Sequence, residues 1–151
     1  MRAAGTFEVA IRVSRRSPIG RSSGATIATL RKRFRGDLTG VSRGTMLSVT
    51  SPIEGSAAYV ALERVLGDLA HRQGSFVLQH TGVLDRGNAR LVVRVVPDSG
   101  TLGLTGIAGR MRIRLQGGRH LYVFDYTLPA GRRPHGRTPT RRRPRTQSRT
   151  R

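Results

Sequence analysis

Histidine 80 and the side chains that can reach it are where this sequence first offers chemistry. In GSFVLQHTG, residues 74–82, strand alternation sets Phe76, Leu78, His80 and Gly82 on one row. Ser75, Val77, Gln79 and Thr81 form the other row. An imidazole among apolar groups can exchange a proton near neutral pH when a carboxylate stands beside it. Two adjacent charged residues, Glu63 and Arg64, lie in the preceding apolar segment, and only one of them can share the histidine's row. A four-residue hairpin loop over 70–73 pairs Leu69 with Gly74 and sets Glu63 opposite His80. A five-residue loop sets Arg64 there instead, and both loop lengths are ordinary. Glu63 is the preferred candidate, with Arg64 the alternative. A Glu63–His80 pair in an apolar interior is a candidate for proton transfer. Such a buried pair is still more often a satisfied core group than a catalyst.

Other chemistry finds little support. The histidines, at 71, 80, 120 and 135, lack metal-ligand spacing, and cysteine is absent. Neither a metal nor another cofactor is expected. No G-x-S-x-G context marks a nucleophile. Gly103, Gly106 and Gly109 fall three apart but do not join a strand to a helix, so they read as close backbone approaches, not a phosphate loop.

The elements that must hold His80 follow from period-two alternation, which recurs to about residue 128. It predicts strands over 6–13, 26–38, 45–51, 58–69, 75–84, 89–97, 110–116 and 120–128. Turns are predicted at SRRSPIGRSSG, Gly40 to Gly44, SPIEGS, HRQG, DRGN, the glycine-rich segment after Val95, and QGGR. Eight short strands with brief polar loops imply an all-β protein, an antiparallel barrel or sandwich. Two regions are expected: a folded domain over 1–130 and a disordered Arg/Pro-rich tail over 131–151.

Charge is one-sided: 28 basic against 8 acidic residues, a formal +20. The tail holds nine arginines and no acid, leaving +11 on the first 130 residues. Only one of the 28 basic residues is a lysine, Lys32. In GRMRIRLQ, Arg110, Arg112 and Arg114 share one face, and no aromatic is interleaved for base stacking. That face reads as solvated. The tail admits weak, nonspecific contact with nucleic acid or another polyanion. No apolar run of about 18 residues exists to cross a bilayer, and MRAAGTFEVAIRV lacks the continuous apolar core of a leader. The expectation is a cytoplasmic protein without membrane contact.

AAGTFEV, AYVALERV (58–65), GSFVLQHTG (74–82), VVPDSGTLGLTGIAG (95–109) and HLYVFDYTL (120–128) together resemble domain-of-unknown-function family 3224 over roughly residues 3–128. The resemblance implies small bacterial proteins of the allene-oxide-cyclase-like barrel superfamily, with a single eight-stranded antiparallel β-barrel and an apolar interior. Members of that superfamily guide or catalyse cofactor-free rearrangements of small organic molecules. The sequence departs from the family pattern at SRRSPIGRSSG, at Val93 where tryptophan is usual, and in the arginine-rich tail.

An eight-stranded barrel is filled by its own side chains or holds one small ligand. Counting apolar bulk puts Phe76, Leu78 and His80 inside, together with Tyr122, Phe124, Tyr126 and His120. Tyr59 shares the inner parity if Glu63 does. Tyr59, Phe76, Leu78, His80, Tyr122, Phe124 and Tyr126 are therefore the expected ligand-binding residues, and the expected ligand is small and apolar or aromatic. Glu63 and His80 would supply any isomerase- or cyclase-like step. Leu121 and Val123 face outward, which admits a homo-oligomer contact. The competing reading is a polyanion-binding protein acting through the tail.

Overall fold

The computed structural model describes residues 1–14 and 24–129. The expected tail, and most of SRRSPIGRSSG, lie outside the described residues. Eight antiparallel strands close into a barrel in chain order. They are β1 (Arg2–Ser14), β2 (Thr26–Gly36), β3 (Leu38–Thr50), β4 (Ala57–Leu69), β5 (Arg72–Asp85), β6 (Asn88–Val95), β7 (Ala108–Gln116) and β8 (Arg119–Thr127). A 3₁₀ turn, Leu102–Leu104, is the one helical element among the described residues.

Two turn expectations are corrected. Gly40 to Gly44 is not a turn: the chain reverses at Gly36–Asp37, and β3 runs straight through both glycines. They serve close strand approach instead. A Cβ on Gly40 would lie 2.3 Å from the Leu66 carbonyl oxygen, and one on Gly44 would lie 2.9 Å from the Glu63 Cα. The β4–β5 loop has neither four nor five residues. Ala70 and His71 make it alone, at φ of 53° and 59°, the twist that suits a two-residue hairpin. Leu69 therefore pairs with Arg72, and His80 stands opposite Ala61, with Glu63 opposite Leu78.

The barrel has a packed end and an open end. At the packed end, the ring of Phe124 stacks on Phe76 at 5.6 Å and on Tyr126 at 5.1 Å, over wholly buried Leu38, Leu69, Leu78 and Leu104. The β3–β4, β5–β6 and β7–β8 connections surround the other end. There the inner-facing row loses its cover. Ile11, Val13, Leu91 and Leu115 share parity with buried Phe7, Val93 and Met111, yet are 53%, 60%, 41% and 68% exposed.

The wall is not uniform. β1 pairs with β8 only from Arg2 to Phe7. β6 and β7 meet only at Val93↔Met111 and Arg94↔Arg110, whereas β4 and β5 pair from end to end.

Candidate functional site

The site lies at mid-barrel, where four neighbouring strands each turn a polar group inward. β2 reads Leu30, Lys32, Phe34 on its inner row and Arg31, Arg33, Arg35 outside, and β3 contributes Ser42 opposite Lys32. β4 contributes Glu63 and β5 His80, and all four polar residues are buried. The Glu63 carboxylate is the hub. Lys32 Nζ donates to Oε2 at 2.7 Å, and Ser42 Oγ donates a short hydrogen bond to Oε1. His80 Nε2 lies 2.8 Å from Oε2, though without a well-directed hydrogen bond to any described group. Lys32 Nζ also sits 4.8 Å from the centre of the Phe7 ring, a cation–π contact in a dry setting.

Burial alone would push the Glu63 carboxyl up. His80, the Lys32 charge and the bonds from Lys32 and Ser42 outweigh it and bring the value down from 4.5 to about 2. Because the folded value lies below the unfolded one, this contribution to stability is complete above about pH 4.5 and is lost as pH falls toward 2. The loss should be on the order of 3 kcal/mol. Urea midpoints measured across that window should fall steeply for the native chain and less for Glu63→Gln. Equal acid slopes in both would contradict the assignment.

The sequence-derived residues divide between the two ends. Phe76, Leu78, Phe124 and Tyr126 form the packed end, where stacked rings leave them as core. Tyr122 is pinned by its backbone partners: its hydroxyl accepts from the Leu38 amide at 2.9 Å and lies 3.3 Å from the Leu38 carbonyl. Burial holds its pKa above the ordinary value. His120 stacks on Phe7 at 5.0 Å. Arg64 faces outward, with Nη1 3.3 Å from Ser75 Oγ. Tyr59 alone of the expected aromatics stands at the open end. Its ring lies across Gly82, where a Cβ would come 2.1 Å from Cε1, and burial followed by the Glu63 charge raises its pKa.

Beside Tyr59 is an almost wholly apolar recess of about 360 Å³, bordered by Met46, Tyr59, Gly82, Leu84 and Leu91. Its volume falls within the range of about 300–1,000 Å³ usual for small-molecule sites. Sequence reasoning missed Lys32, Ser42 and Met46. Lys32 left a signal, since a lone lysine among arginines at an inward position of RKRFR marks a different environment.

No set of three or more potential ligands for a metal ion occurs among the described residues. None of the helices among them is long and apolar enough to cross a membrane.

The barrel fold agrees with what the comparisons find. Residues 3–126 match the model of the family described as protein of unknown function (DUF3224), and the chain belongs to that family. A crystal structure from Shewanella oneidensis MR-1, of a DUF3224 protein of unknown function, is 39% identical with a TM-score of 0.78. The match covers 86% of this chain and 98% of that one. No curated protein matches the chain.

Proposed function

We propose that this protein binds a small apolar or aromatic molecule at the open end of its barrel, in the recess beside Tyr59. The exposure of inner-facing apolar residues at this end alone carries the reading. Burying them yields about 25 cal/mol per Å² of apolar surface removed from water. Gly82 keeps the recess open, because any side chain there displaces the Tyr59 ring. Gly82→Leu should weaken 1-naphthol binding about tenfold or more, or ~1.4 kcal/mol, by calorimetry. An unchanged affinity in the folded variant would refute the placement.

A second reading, cofactor-free isomerisation, is favoured by one adjacency. His80, in contact with Glu63, lies two residues from Gly82 on the same inner row. It predicts turnover of a bound enolisable ketone by the native chain and none by His80→Gln. Binding without turnover in the native chain would leave the binding role alone.

A further inference from the structure

The split between β6 and β7 gives the ligand a chemical class. Beyond Arg94↔Arg110 and Val93↔Met111, neither the Asn88–Val92 half of β6 nor the Arg112–Gln116 half of β7 has a partner across this seam. A recess of about 490 Å³ opens there, with inner-facing Val93 and Met111 among its lining residues and Leu91 at its border. Leu91 also borders the recess beside Tyr59, so the two recesses share one apolar wall residue.

Arg94 and Arg110 stand directly opposite each other at the seam, both exposed. Like charges so placed repel. Neither forms an ion pair among the described residues, although Asp125 of β8 stands directly opposite Arg110 in the sheet. The one carboxylate in the recess, Asp125, is held by Arg2 at 2.6 Å and Arg112 at 3.0 Å. An anion placed between the two guanidiniums, neither of which is held in an ion pair, would replace their repulsion with charge-assisted hydrogen bonds.

We propose that the ligand is an amphiphilic anion, with its apolar body along Leu91 toward the Tyr59 recess and its charged head between Arg94 and Arg110. The inference rests on the binding role proposed above.

Calorimetry with sodium decanoate and 1-decanol, which share an apolar body and differ in the head, tests it. The native chain should bind decanoate about tenfold or more tightly than decanol. Arg94→Gln/Arg110→Gln should erase that preference. Arg33→Gln/Arg43→Gln, with the same loss of charge on β2 and β3, should keep it. Arg110→Gln alone should reduce the preference, which covers a double variant that fails to fold. Equal binding of the two probes by the native chain, or a preference that survives in Arg94→Gln/Arg110→Gln, overturns the anionic class and leaves the recess intact. Binding of neither probe overturns the recess reading, and this inference with it.

Discussion

Glu63→Leu should destabilise the protein by about 3–5 kcal/mol, because it leaves the Lys32 ammonium buried without its counter-charge. Lys32 is enclosed by β1, β2 and β3, with Phe7 and Phe34 beside its Nζ. Its side chain is only 7% exposed, so little water reaches the ammonium. Lys32→Met/Glu63→Leu should recover most of the loss, since replacing both members of a buried ion pair with apolar groups of similar volume is often close to neutral. A double-mutant cycle by urea unfolding measures the coupling directly. A cost under about 1 kcal/mol for Glu63→Leu would mean that Lys32 reaches solvent, and the description of a sealed polar hub would be wrong.

Phe124→Ala should cost a comparable 3–5 kcal/mol or so, by a different mechanism. Its ring is wholly buried between Phe76 and Tyr126, so truncation removes two stacking contacts and opens a cavity. The same substitution should leave affinity for a ligand at the open end within about twofold, because Phe124 is not among the residues that border the recess. A stability loss with unchanged affinity separates core from site. A large affinity loss in a folded variant would place the ligand at the packed end.

A period of two encodes which face of a strand turns inward, and not the register between strands. Alternation gave the eight strands and the inner face, and it did so even where the register was wrong. The expected four-residue loop paired Glu63 with His80, whereas the actual two-residue loop moves the pairing by two positions. A shift of two keeps every side chain on its own face, so Glu63 still points inward and still reaches His80 from a diagonal place. The five-residue alternative would have turned Arg64 inward.

Glycine misled at 40 to 44 because the same residue marks both a tight reversal and a close approach between strands. Depth along the barrel was also hidden. Alternation distinguishes inside from outside but does not tell the packed end from the open one, so Phe76 and Phe124 carry the same signal as Tyr59. The Lys32 and Ser42 contributions depend on the β2–β3 and β3–β4 registers, which the misplaced turn had obscured.

The central claim, that the open end beside Tyr59 is where a ligand enters, is tested most directly by mapping 1-naphthol onto the backbone amides with a nuclear magnetic resonance titration. Saturable shifts should concentrate at Met46, Tyr59, Gly82, Leu84 and Leu91 and fade toward Leu38, Leu69 and Leu104. Shifts centred on the packed end, or none at all, would contradict the account.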